Sequence, residues 1–130
     1  PTAVHQALDA QGHTLGFAFI ATGPGFADKI KIVIAVDQTF TKFFGFKVLA
    51  SNETPGFGDK IKDNFFGQQF QGAPVGRLEM VKVGDNTVID AQIVAIGGAT
   101  VSSEAVLGIF NTFARNVRDQ LIAKGVINNE

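Results

Sequence analysis

Gly97-Gly98-Ala99-Thr100-Val101-Ser102-Ser103-Glu104-Ala105-Val106 joins a glycine turn to the longest amphipathic pattern in the chain. Val106, Ile109, Phe110, Phe113, Val117 and Leu121 mark one apolar face, which predicts a helix from Ser103 to Lys124 with Gly125 as its stop. A helix start leaves backbone N–H groups unpaired and carries partial positive charge, so this turn suits an anion such as a phosphate. Thr100, Ser102 and Ser103 add hydroxyls, and Gly97 and Gly98 let the backbone approach closely. The same residues also suit ordinary capping, with Glu104 favourable in the first turn, and the turn by itself does not separate the two readings.

Working back from this turn, Val88 to Ile96 and Arg77 to Val83 read as strands with Gly84-Asp85-Asn86 as a turn between them. Before them, Thr54 can cap a helix and Pro55 suits its first position. Phe57, Ile61, Phe65 and Phe70 form its apolar stripe, while Gly56 and Gly58 loosen its start. The first third reads as strands. Val4 to Leu8 and Leu15 to Thr22 form a hairpin across residues 9–13, and Gly23-Pro24-Gly25 breaks the chain. Ile30 to Val36 follows with its apolar side chains on even positions. Asp37 to Lys42 turns into a strand from about Phe43 to Ser51, with Phe44, Phe46 and Val48 expected inward. The expected class is α+β: a twisted, mostly antiparallel sheet packed against two helices.

Composition narrows the function. At 130 residues and 45% hydrophobic content the chain supports one domain, 1–130, with a core of its own. Eleven basic and twelve acidic residues leave a formal charge of −1, which gives no electrostatic footprint for nucleic acid or an anionic membrane surface. With no cysteine, disulfides, thiolate metal sites and thiol nucleophiles are excluded. His5 and His13 have no carboxylate cluster at metal spacing, so no metal site is expected. The same scarcity of histidine disfavours a Ser-His-Asp hydrolase, and no catalytic residue is assigned. Asp59 and Asp63, interleaved with Lys60 and Lys62, read as a solvated helix face. Thirteen Phe with neither Tyr nor Trp read first as core material.

A second segment changes the weight of the helix start. Glu53-Thr54-Pro55-Gly56-Phe57-Gly58-Asp59-Lys60-Ile61, taken with Gly98-Ala99-Thr100-Val101-Ser102-Ser103, resembles the FMN-binding domain of the RnfG and NqrC electron-transport subunits. The resemblance covers most of the chain and is strongest from Ile30 to about Asn116. It implies that the phosphate of FMN sits at Gly97, Gly98, Ala99, Thr100, Ser102 and Ser103. In that family the threonine at the position of Thr100 carries FMN as a phosphoester, attached by a dedicated FMN transferase. It further implies that Glu53, Thr54, Pro55 and Gly56 lie by the isoalloxazine, with Lys60 nearby. The family normally has Asp six residues before that threonine and Ser or Thr three before it, where this chain has Val94 and Gly97. Covalent and non-covalent FMN therefore both stand as expectations.

The implied function is an FMN-carrying electron-transfer subunit of a membrane-bound, ion-translocating NADH or ferredoxin oxidoreductase, not catalytic alone. Its implied partners are the other subunits and an FMN transferase, at the extracytoplasmic face of the membrane. The chain contains no apolar run long enough to span a bilayer and is expected to be soluble as given. It starts at Pro1, and an N-terminal anchor typical of the family is expected to have been removed. Two other readings share the residues: a regulatory module binding FMN or another ligand in the same pocket, and a structural domain whose hydroxyls only cap a helix.

Overall fold

A computed structural model describes residues 2–25, 28–53 and 58–127. Alternating apolar runs produce four strands: β1 (Val4–Leu8), β2 (Thr14–Pro24), β3 (Lys29–Asp37) and β4 (Phe43–Ala50). They form one antiparallel sheet in the order β1-β2-β3-β4. Ile30, Ile32, Ile34 and Val36 are all buried, as their even spacing predicts for a strand with one face on the core.

Two details of the sheet differ from the expectation. Gly23 and Pro24 do not break the chain but extend β2, pairing with Ile30 and Lys29 of β3. Pairing with β1 involves Phe19 and residues before it, so Pro24 sits where its missing N–H removes no ladder bond. A Cβ on Gly23 would lie 2.6 Å from Cγ1 of Ile109, so glycine here permits close crossing of the long helix. In β4, Val36 pairs with Phe43 and Ala35 with Gly45, which makes Phe44 the extra residue of a β-bulge. The bulge shifts the pleat by one. Phe43 faces inward with Phe46 and Val48, and Phe44, expected inward, is exposed.

The expected helix from Thr54 is short and interrupted. A 3-10 turn over Gly58–Lys62 leads to α1 (Asn64–Gly67) and a second 3-10 turn over Gln68–Phe70. Ile61, Phe66 and Phe70 are buried, whereas Phe65 is exposed, because the tighter 3-10 winding displaces the stripe by a residue. Thr54, Pro55, Gly56 and Phe57 lie outside the described residues. The two expected strands around Gly84 contract to β5 (Glu79–Val81) and β6 (Gln92–Val94), which pair in parallel. The connection 82–91 must therefore return along β5 and is no hairpin, and its apolar Val83, Val88 and Ile89 stand exposed.

The long helix, α2 (Thr100–Ala123), starts three residues before the expected Ser103 and ends one before the expected Lys124. Its face of Val106, Ile109, Phe110, Val117 and Leu121 is buried. Phe110 is the hub of the core, with ring centroids 4.5 Å from Phe70, 4.9 Å from Phe43 and 5.3 Å from Phe46. Sheet, broken helical segment and α2 thus share one aromatic cluster. Among the described residues no helix is long and apolar enough to cross a membrane.

Candidate functional site

The first turn of α2 is built differently from a side-chain-capped helix. Ala99 occupies the N-cap position with no side-chain cap, and Gly98 before it has φ +78°, a left-handed conformation that glycine adopts freely. The first helical bond of this end runs from the Ser103 N–H to the Ala99 carbonyl at 2.9 Å. The amides of Thr100, Val101 and Ser102 therefore have no hydrogen-bond partner among the described residues. They are the unpaired donors that a phosphate would use.

The hydroxyls divide into two roles. Ser103 is fully buried; its Oγ donates to the Ala99 carbonyl at 2.8 Å and accepts from the Ile96 amide at 3.1 Å. It clamps the turn onto the helix. Ser102 is also buried, and its Oγ donates to Oε1 of Glu53 at 2.7 Å. Thr100 is half-buried, and among the described residues its hydroxyl makes no hydrogen bond. Of the three hydroxyls singled out in sequence, Thr100 is the one left available to a ligand.

Glu53 brings the second motif to this place. It is only 5% exposed, although it sits 49 residues from Ser102 in sequence. Its amide donates to Ser51 Oγ at 3.3 Å. Gly58 lies between the two, and a Cβ there would come within 2.6 Å of Ser102 Oγ and 2.7 Å of Glu53 Cβ. Gly58 was read from sequence only as a loosened helix start. Its position two residues after Gly56 was the available hint of a close approach. A buried carboxylate beside a helix N-terminus is itself favourable with the helix dipole.

The remaining candidates are placed as follows. Gly97 and Gly98 are exposed, Ala99 is buried, and among the described residues no heavy atom lies within 4 Å of a Cβ position at Gly97, so the backbone is open at that residue. Lys60 is half-buried on the 3-10 turn that packs against α2. Thr54, Pro55 and Gly56 lie outside the described residues. Val94, where the family carries Asp, has its backbone held by Gln69: the Val94 amide donates to Oε1 at 2.7 Å and its carbonyl accepts from Nε2 at 3.1 Å. Beside the N-terminal half of α2, Gly23, Pro24, Ala105, Gly108, Ile109 and Phe113 line a largely apolar hollow of about 380 Å³.

These residues fit the phosphate end of FMN: an exposed glycine backbone, and three amides on a helix axis and one hydroxyl on the first turn that have no hydrogen-bond partner among the described residues. Phe43, Phe46, Phe66, Phe70 and Phe110 pack on one another, so they serve the core.

Comparison with known proteins gives the family and the fold. The FMN-binding domain family matches residues 25–114. The G-type subunit of the ion-translocating oxidoreductase complex of Methanosarcina acetivorans is 31% identical over 103 residues, covering 79% of this chain and 52% of that protein. Its counterpart in the proton-translocating ferredoxin:NAD(+) oxidoreductase complex of Clostridium ljungdahlii is 32% identical over 93 residues, covering 72% and 48%. The chain thus spans about half the length of the relatives it matches. The crystal structure of Shewanella oneidensis NqrC superposes with a TM-score of 0.77 at 23% identity, covering 92% of this chain and 60% of that one, so the fold is shared. With the family match running from the end of β2 through the glycine turn and into α2, the chain belongs to the FMN-binding domain family found in subunits of ion-translocating oxidoreductase complexes.

Proposed function

We propose that this chain is the FMN-carrying part of an RnfG- or NqrC-like electron-transfer subunit, with the FMN phosphate at the first turn of α2 and Thr100 as its attachment point. The observation that carries the reading is the division of hydroxyls: Ser102 and Ser103 are engaged inside the protein, whereas Thr100 is left at the helix start beside three unpaired amides. Gly97, Gly98 and Ala99 form the open turn, and the amides of Thr100, Val101 and Ser102 hold phosphate oxygens. Glu53 and Ser102 lock the preceding motif to that turn. This would set Lys60 by the ring system, where the family resemblance also assigns Thr54, Pro55 and Gly56, which lie outside the described residues.

FMN, when bound, supplies the acceptance and donation of electrons; the protein needs no general acid or base. Its own contribution is position, burial and charge, with the Lys60 ammonium favouring added negative charge on a flavin nearby. The partners would be the remaining subunits of a membrane-bound oxidoreductase complex at the extracytoplasmic face, and an FMN transferase would load Thr100 from FAD with release of AMP.

Intact mass and visible spectrum under denaturing conditions test the attachment, on protein produced with and without the transferase. The expected result is a mass increment of one FMN group in the presence of the transferase, lost in Thr100→Val. That variant should change stability by no more than about 0.5 kcal/mol, since the hydroxyl makes no bond among the described residues. Flavin retained by Thr100→Val after denaturation would refute the ester. Val94 and Gly97, which replace the family's Asp and Ser or Thr, favour a second reading in which FMN is held by the same amides without a covalent bond. Colour present in the native protein and lost on denaturation would select it.

A further inference from the structure

The chain has three arginines and eight lysines, and all three arginines, Arg77, Arg115 and Arg118, line one cleft while no lysine does. The cleft measures about 490 Å³, within the ordinary range of small-molecule sites. It lies along the C-terminal half of α2, from Asn111 to Asp119. Asn111 is eleven residues beyond Thr100, or roughly 16 Å at the helical rise, so the cleft is separate from the flavin site.

Its walls are fixed by hydrogen bonds. Asn111 accepts from the Leu78 amide at 2.8 Å and donates to the Leu78 carbonyl at 3.0 Å, which ties the segment carrying Arg77 to α2. The Val75 amide donates to the Thr41 carbonyl at 2.9 Å, joining that segment to the turn between β3 and β4. That turn is held in its own right by Asp37, whose Oδ1 accepts from the Thr41 and Lys42 amides. Buried Phe40 and Ala114 form an apolar floor beneath the arginines. Among the described residues Asp119 is the single acidic one in the lining.

Arginine offers a planar fork that pairs two-pronged with carboxylate or phosphate, which a lysine point charge does not. Segregating every arginine of a net-negative chain into one walled cleft has no use in the packing of the core. We propose that this cleft is a second anion site, binding a small ligand with two or more phosphate or carboxylate groups over an apolar body. Arg77 approaches it from one wall, and Arg115 and Arg118, one helical turn apart, from the other.

The test is an amide NMR titration of the full chain at constant ionic strength, with inorganic pyrophosphate and citrate as separate probes for the two anion types. Saturable shifts at Thr41, at residues 75–78 and at residues 111–119 are expected. Arg77→Lys and Arg115→Lys should each weaken binding about tenfold, because charge is kept and the fork is lost. Lys62→Gln, a charge change outside the cleft, should not weaken it, and Asp119→Asn should tighten it. Shifts confined to residues 97–103 would mean that the helix start alone binds anions, and the proposal would fail. It would equally fail if Lys62→Gln weakened binding as much as the arginine variants, or if lysine replaced arginine without loss. Binding of an acidic peptide but of neither small anion would overturn the assigned ligand class.

Discussion

The four-stranded sheet and the chain between residues 51 and 99 are held in place by different means. In the sheet, strand ladders satisfy the backbone and an alternating apolar pattern buries one face, so few side-chain hydrogen bonds are needed. Between 51 and 99 regular structure is scarce, and polar side chains take over the pairing. Gln69 acts as a peptide unit toward Val94, Asn111 does the same toward Leu78, Ser103 closes the glycine turn, and Ser102 binds Glu53. The lesson is that the segment carrying much of the proposed site is docked on the sheet and the long helix by a small number of long-range polar contacts. Each of these can be removed singly.

The contact shared by both regions should matter most. Phe110→Ala removes the ring that touches Phe43 and Phe46 of the sheet and Phe70 of the irregular half, and should cost about 3–5 kcal/mol. Urea unfolding should then show one cooperative transition at lower midpoint. Two separate transitions would show that the halves are less coupled than their common core implies. Gln69→Leu distinguishes the regions: it fills similar space but strips both bonds from Val94, at a cost of roughly 2–3 kcal/mol. Hydrogen exchange should quicken at β6 and the 95–99 turn while the amides of β2 and β3 keep their protection relative to global unfolding.

Ser102→Ala acts still more locally. It removes the hydroxyl donated to buried Glu53 and should cost about 1.5–3 kcal/mol, with the larger effect on flavin retention, because the Glu53 segment is released from the helix start. Glu53→Gln, which keeps an acceptor oxygen for Ser102, should be milder. Equal losses in both variants would show that the charge matters more than the hydrogen bond. The smallest effect belongs to Asp37 at the edge of the sheet. Partial burial pushes its carboxyl up. Hydrogen bonds from the Thr41 and Lys42 amides and from the Thr41 and Thr39 hydroxyls outweigh this and hold it below the usual range. A carboxylate with a lowered folded pKa adds stability above its unfolded value near 4 and loses it as pH falls through the folded value. Asp37→Asn should therefore flatten the acid limb of the stability curve slightly and leave stability less pH-dependent below about pH 4.

Legibility of the fold followed how local each cause is. The hairpin, the even-position burial of β3 and the apolar face of α2 could be read directly, since a period of two or of nearly four needs no knowledge of the partner. Phe44 is turned outward by a bulge that forms between two strands; Gly45, an isolated glycine in the strand with φ +144°, is its local mark but does not say which neighbour is the extra residue. Phe65, expected on the apolar stripe, is exposed and Phe66 takes its place for a related reason: the choice between α and 3-10 winding follows the packing of Phe66 and Phe70 against Phe46 and against each other. Val83 and Val88 looked like strand residues, but the parallel pairing of β5 with β6 leaves their loop outside the core.

The same boundary runs through the site. Gly98, Ala99 and Thr100 before an amphipathic helix are a local pattern, so the sequence by itself determined that a helix starts beside a glycine turn and which hydroxyls stand near it. Which hydroxyl remains free was decided only in three dimensions. Ser102 is engaged by a glutamate 49 residues away, and Ser103 by a carbonyl and an amide that the turn brings back onto the helix. Nor does anything in the spacing of Arg77, Arg115 and Arg118 announce that they share a cleft. Periodicity reports how a segment meets its own axis, whereas hydrogen-bond partners and shared clefts depend on where distant segments are docked, and that docking is settled by the packed core.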